Sequence, residues 1–143
     1  MNAQAILQSK GHDVVTISPN DTIQDAAKTL DKRRIGAAVV TQEDGALCGV
    51  LSERDVARHV AREGADALQK SVSDYMSRNV ITAKLDDTLD TLLACMTDRH
   101  VRHLPIMDRG KLVGVISIGD VVKRKIMETE AEAEAMKAYI GAG

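Results

Sequence analysis

The sequence predicts an α+β protein built as two β-α-β-β-α repeats packed together with pseudo-twofold symmetry. The first observation behind this is an internal duplication. Thr16 aligns with Thr82, Thr22 with Thr88 and Leu30 with Met96, at a constant spacing of 66 residues. One deletion later, Gly49-Val50-Leu51-Ser52 and Asp55-Val56 align with Gly114-Val115-Ile116-Ser117 and Asp120-Val121. The second observation is size. Each copy is roughly 55–60 residues, marginal alone, with one sheet face to cover, so two copies are expected to bury those faces mutually around a shared cleft. The third is composition. Of 143 residues, 44% are hydrophobic and 28% charged, which excludes wholesale disorder. Two Tyr and no Phe or Trp make the expected core aliphatic.

The elements follow in order, each matched in the second copy. Val14 to Ile17 is a β-branched run stopped by Pro19, and Val80 to Ala83 is its counterpart. Asp21 with Gln24, and Asp87 with Asp90, read as helix N-caps with a partner three residues on. Ile23, Ala26, Ala27 and Leu30 recur at helical spacing, as do Leu89, Leu92, Leu93 and Met96. Ala37 to Val40 and Leu104 to Met107 are short apolar strands. Glu43-Asp44-Gly45 and Asp108-Arg109-Gly110-Lys111 are hairpin turns into the return strands Leu47 to Leu51 and Leu112 to Ile116. Ser52 and Ser117 then open a second helix in each copy. Residues Gly64 to Ser71 connect the copies, and Ser73 to Met76 and residues 2–9 are short helical lead-ins. From Lys123 to Tyr139 the chain is rich in Ala and Glu, with no Gly or Pro, and predicts a long helix. Its weak stripe of Met127, Ala131, Ala135 and Ala138 fits a solvated helix or a packing arm against a second subunit. The expected domains are residues 1–66, 67–126 and a helical tail, 127–143.

Composition also restricts function. A net charge of −2 supplies no basic field for nucleic acid. No apolar run approaches the ~20 residues of a membrane span and no signal peptide is visible, so the expected compartment is the cytoplasm. Cys48 and Cys95 form no C-x-x-C pair and read as reduced, buried small hydrophobes. His100-x-x-His103 invites a metal reading, but helix turns to strand there and no four-ligand set completes it, so no metal is expected. His12 and His59 read as isolated surface residues. No nucleophile with a general base, P-loop or G-x-G-x-x-G motif is present, and no enzymatic activity is expected.

Two β-α-β-β-α units, each with a Gly-Val-hydrophobic-Ser-x-x-Asp segment and the second with His103-Leu104-Pro105-Ile106, resemble a tandem pair of CBS domains, a Bateman module, over residues 10–126. The resemblance implies a stand-alone regulatory module. Its ligand would be an adenosine-containing nucleotide: AMP, ADP or ATP, or NAD(H) or S-adenosylmethionine. This adenine nucleotide would be a regulatory ligand, with no catalytic cofactor. The resemblance also implies a homodimer, with a separate protein as possible target. The alternative reading is a ligand-free dimerisation and protein-interaction module.

The residues carry chemistry that suits such a ligand. Ser52-x-x-Asp55 and Ser117-x-x-Asp120 are helix N-cap patterns in their own right. A helix start offers free N–H groups to a phosphate, and a carboxylate offers two acceptors to a vicinal diol. The resemblance places ribose binding on Asp55 and Asp120, with the hydroxyls of Ser52 and Ser117 upstream. Arg102 and His103, and Arg54 in the first copy, are the candidate phosphate contacts. Arg33, Arg34 and Arg99 fit solvated surface charges better. Gly119 stands in place of Arg54, and Gly36-Ala37 in place of Arg102-His103, so the two sites are expected to differ. Adenine would meet backbone groups near Thr16 and Ile17 in one copy and Thr82 and Ala83 in the other, with Ala38 and Leu104-Pro105 as apolar walls. The reading requires that Asp55 and Asp120 are not both committed to other ion pairs.

Overall fold

Each repeat builds its helices and strands from the same local signals. In the computed structural model, which describes residues 1–142, the first repeat runs β1 (Thr16–Ile17), α2 (Ile23–Arg33), β2 (Ala37–Thr41), β3 (Leu47–Ser52) and α3 (Glu53–Glu63), preceded by α1 (Ala3–Lys10). A 3₁₀ turn (Gly64–Gln69) and α4 (Val72–Tyr75) lead to the second repeat: β4 (Ala83–Lys84), α5 (Leu89–Arg99), β5 (His103–Asp108), β6 (Lys111–Ser117) and α6 (Ile118–Ala142). The β-α-β-β-α order is as the duplication predicts. Each repeat has a three-stranded sheet, in the order β1-β2-β3 or β4-β5-β6. The first strand pairs parallel with the second, Thr16 opposite Val39 and Ala83 opposite Ile106, while β2 and β3 run antiparallel.

The predicted caps lie one residue early. Thr22 and Thr88, not Asp21 and Asp87, accept the N–H groups of Asp25 and Thr91 at the starts of α2 and α5. The aspartates instead close the preceding loops, accepting the N–H of Ser18 and of Lys84. Asp21 and Asp87 therefore fix how the strand enters the helix, and the threonines start the helix. Both helices end alike. Arg34 and His100 adopt left-handed backbone (φ 54° and 55°), and Ile35 and Val101 donate back to Leu30 and Met96. His100 thus terminates α5 rather than sharing a helical face with His103. Arg109 and Gly110, with φ 52° and 78°, give the second hairpin its two-residue primed turn.

The chain forms two compact units. One comprises Asp13–Ile81 with Asp108–Val113, and the other Met1–His12, Thr82–Met107 and residues 114–142. The first unit holds a core of Ile17, Ile23, Ala26, Leu30, Ala38, Val40, Leu51, Val72 and Met76. Here α4 covers β3: Val50 exchanges backbone hydrogen bonds with Ser77, and Gly49 lies so close to Met76 that a Cβ there would sit 2.6 Å from its Sδ. In the second unit α1 fills the matching role. Ala3 and Gln4 donate to the carbonyls of Asp87 and Leu85, and a Cβ on Gly114 would sit 2.6 Å from Leu7 Cδ2. Ile6, Leu7, Leu92, Met96, Leu104, Ile106, Ile116 and Val121 are fully buried there.

Three surface expectations are revised. Cys48 and Cys95 are free thiols but only half-buried, and Cys48 Sγ donates to the Val40 carbonyl. His59 is not isolated: its ring stacks on Tyr75 with centroids 3.7 Å apart, and its Nδ1 lies 3.7 Å from Glu63. Tyr75 donates its hydroxyl to Glu63, which pushes the phenol up to about 12. The Tyr75 contacts tie α4 to α3, an arrangement that helical spacing along α3 alone does not reveal.

Candidate functional site

The return strand of each repeat delivers its serine to a helix start, and the helix start is then docked onto the loop before the middle strand. Glu53 N–H donates to the Gly36 carbonyl at 2.9 Å, and Ile118 N–H to the Arg102 carbonyl at 2.8 Å. These bonds depend on the left-handed helix ends at Arg34 and His100, which turn those loops back toward the cap. The result brings Gly36 beside Ser52 and Asp55, and Arg102 beside Ser117 and Asp120.

Both Ser-x-x-Asp segments are reciprocal capping boxes. Ser52 Oγ accepts the Asp55 N–H at 3.1 Å while Asp55 Oδ2 accepts the Ser52 N–H at 2.9 Å. Ser117 and Asp120 repeat this at 3.2 and 2.9 Å. Among the first three N–H groups of each helix, the first is held by the loop carbonyl and the third by the serine. Those of Arg54 and Gly119 have no capping partner among the described residues, at the positive end of a helix dipole. Gly119 carries no side chain over that N–H, whereas Arg54 adds an exposed guanidinium.

The two carboxylates then diverge. Asp55 Oδ1 is paired loosely, at 3.7 Å, with Arg58 Nη1 on the next turn. Asp120 Oδ2 is paired with Lys10 Nζ at 2.7 Å, and the same ammonium donates to the Val115 carbonyl at 2.9 Å. Asp120 Oδ1 makes no polar contact among the described residues. Partial burial tends to raise the Asp120 pKa, but the Lys10 and Ser117 hydrogen bonds together outweigh it and hold the carboxyl below its ordinary value. His103, at the start of β5, is lowered from its ordinary 6.5 by burial and by the Lys10 charge, with Arg102 adding to the effect and Asp120 opposing it. Lys10, Arg102, His103, Ser117 and Asp120 thus form one electrostatic cluster in the second unit.

The requirement that the two aspartates not both be committed to ion pairs is corrected: Asp120 is held by Lys10 at 2.7 Å and Asp55 by the looser 3.7 Å pair with Arg58. Lys10 is the residue that sequence reasoning missed. It comes from a helix 110 residues upstream, and no local spacing marks it. Leu7 and Met76 abut equivalent glycines, and the same offset puts the uncharged Asn79 in register with Lys10.

The remaining predicted residues fall in two groups. Arg54 and Arg102 are exposed and His103 half-buried, all at or next to the caps. Thr16 and Thr82 are exposed on or beside the short parallel strands, while Ile17 and Ala83 point inward. Ala38, Leu104 and Pro105 are buried, Ala38 within the first unit's core cluster. Among the described residues no group of three or more His, Cys, Asp or Glu could hold a metal. No described helix is long and apolar enough to cross a membrane.

Duplicated three-stranded sheets, each ending in a Ser-x-x-Asp cap, define a tandem β-α-β-β-α domain pair, and comparison with known proteins agrees. The CBS domain family matches twice, over residues 9–62 and 72–126, and the chain belongs to that family. It is similar to the CBS-domain containing protein ATU1752 of Agrobacterium tumefaciens, at 45% identity and TM-score 0.84 over 87% of this chain and 92% of that one. The CBS domain pair of protein MJ0100, in complex with 5′-methylthioadenosine and S-adenosyl-L-methionine, is 26% identical with TM-score 0.79 over 90% and 98%. The CBS domain protein PAE2072 of Pyrobaculum aerophilum, complexed with AMP, is 29% identical with TM-score 0.75 over 84% and 89%.

Proposed function

We propose that the chain is a regulatory, non-catalytic module that binds an adenosine-containing nucleotide and signals by shifting its own conformational population. The observation that carries this reading is the repeated helix start: a second N–H outside the cap beside the capping-box carboxylate in each repeat, with Asp55 Oδ1 met loosely by Arg58 at 3.7 Å and Asp120 Oδ1 without a polar contact among the described residues. An Asp offering acceptors only suits a ribose diol, and the N–H at a helix start suits a phosphate. Ribose would engage Asp55 or Asp120, and phosphate the N–H of Arg54 or Gly119 with Ser52 or Ser117. Arg54 would add charge at the first site and Arg102 and His103 at the second. Backbone groups near Thr16 and Ile17, or Thr82 and Ala83, would meet the base, with Ala38 and Leu104-Pro105 as apolar surroundings. The complexes of MJ0100 and PAE2072 support ligands of the adenosine class, with AMP, ADP, ATP, NAD(H) and S-adenosylmethionine as candidates. The assembled form we propose is a cytoplasmic homodimer acting on a separate protein. Any signal is bounded by the ligand's differential affinity for two states.

A thermal-shift series across AMP, ADP, ATP, NAD, NADH and S-adenosylmethionine tests the reading. At a ligand concentration about a hundredfold above Kd, binding adds about 2.7 kcal/mol to folding stability and raises Tm. Asp55→Asn and Asp120→Asn keep an oxygen for the cap but remove the carboxylate, and each should lose the shift at its own site. An unmoved Tm across the series would leave the ligand-free assembly module standing.

A further inference from the structure

The last helix is longer than its unit needs. From Thr129 to Gly141 every residue of α6 is exposed, and Met136, Tyr139 and Ile140 are 60%, 80% and 69% accessible. The side that faces the unit is marked by buried Val121 and half-buried Arg124, Lys125 and Glu128. Next to it runs a different row: Val122, Ile126, Thr129, Ala133, Met136 and Ile140. Their spacings are four, three, four, three and four residues, the period of a coiled-coil seam rather than of a globular helix face. This row is better defined than the Met127, Ala131, Ala135 and Ala138 stripe read from the tail, because it begins within the folded unit and ends in two large side chains.

The flanking charges say what covers the seam. Lys125, Glu132 and Tyr139 precede its Ile126, Ala133 and Ile140, while Lys123, Glu130 and Lys137 follow Val122, Thr129 and Met136. In a parallel pair of identical helices each preceding position meets the following position five residues on in the other chain. Lys125 is held by Asp90 of its own unit at 3.0 Å, whereas Glu132 then faces Lys137 of the second copy, a contact occurring twice by symmetry. An antiparallel pair with Val122 opposite Ile140 instead sets Lys123 against Lys137, Glu130 against Glu130 and Glu132 against Glu132. β-branched Ile126 and Ile140 stand at positions where such residues favour two strands.

We propose that α6 pairs with α6 of a second copy as a parallel two-stranded coiled coil along Val122, Ile126, Thr129, Ala133, Met136 and Ile140. This deepens the homodimer reading by assigning it a surface, and it is independent of any nucleotide. The test is sedimentation equilibrium on the full chain. Ile126→Asp with Met136→Asp alters two exposed positions, so the fold should survive by circular dichroism while the dimer dissociation constant rises at least about tenfold. Glu132→Lys should weaken the dimer, and adding Lys137→Glu should restore it. These residues are five apart and do not meet on one helix, so rescue reports a contact between chains. With Cys48 and Cys95 replaced by Ala, Met136→Cys should form a disulfide between copies on oxidation. A dimer unmoved by the Asp pair overturns the α6 surface while leaving a homodimer through another face. Absence of rescue, or of the Met136→Cys disulfide, overturns the parallel arrangement. The nucleotide Tm shift, read on the same variants, reports the ligand reading separately.

Discussion

Removing the Lys10 ammonium should change which ligand the second site prefers. The ion pair it makes with Asp120 lies at the protein edge, with side chains 38% and 26% exposed and 2.7 Å apart. Exposed pairs of this kind contribute about 0.2–1 kcal/mol. A sugar diol that takes both oxygens of Asp120 must first displace the ammonium, so the pair acts as an internal competitor. Taking the upper figure, about 1 kcal/mol, its loss corresponds to roughly fivefold in affinity. Lys10→Met keeps the aliphatic stem and removes only the charge. Adenosine should therefore bind Lys10→Met about fivefold more tightly than it binds the unmodified protein. AMP or ATP should not gain in the same way, because a displaced ammonium can pair with phosphate and this partner is now missing. The assay is isothermal titration calorimetry of adenosine, AMP and ATP against both proteins, with Asp55→Asn present to silence the first site. The expected result is a smaller preference for phosphate-bearing ligands, produced mainly by tighter adenosine binding. If adenosine and ATP weaken together, Lys10 is only a tether from α1 to β6 and the competition argument fails.

Two further outcomes follow from the geometry. Gly114→Ala would drive a methyl to 2.6 Å from the fully buried Leu7, which has no room to yield, and should cost about 1–3 kcal/mol by urea denaturation, in part recovered by Leu7→Ala. Stability of the second unit should also fall on acidification. His103 is depressed in the folded state, so the unfolded chain takes up its proton first. Its contribution is full above the ordinary 6.5 and is lost as pH falls through the lowered value, with the Asp120 contribution lost at more acidic pH still. Tm measured from about pH 7.5 to about pH 5 should decline, and His103→Gln should flatten that decline; an equal slope in both proteins removes His103 from the account.

What the sequence disclosed was local. The two Ser-x-x-Asp caps, the Arg109-Gly110 turn and the helical spacing of Ile23, Ala26 and Leu30 are each written within a few residues. Each reappears one repeat later, so one copy checks the other. The cap at Thr22 was misread as Asp21 because both residues can cap, and only the loop bond from Ser18 N–H to Asp21 separates their roles. The short strands were harder: Val14 and Val15 have strand composition, yet ladder pairing starts at Thr16, where Val39 lies opposite. What stayed hidden was everything set by distant packing. Lys10 reaches Asp120 across the sequence, and Tyr75 reaches His59 and Glu63 from the linker. Composition could say that Lys and Asp are present, but not that one neutralises the other.

The placement of α1 has a consequence for biosynthesis. Ala3 and Gln4 are synthesised well before Asp87 and Leu85, whose carbonyls hold them, and Leu7 well before Gly114, against which it lies. The amino-terminal helix must therefore wait, unhoused, while the first repeat and the linker are translated. A disruption of α1 should accordingly injure the half of the molecule made later, leaving the half beside it in the chain intact.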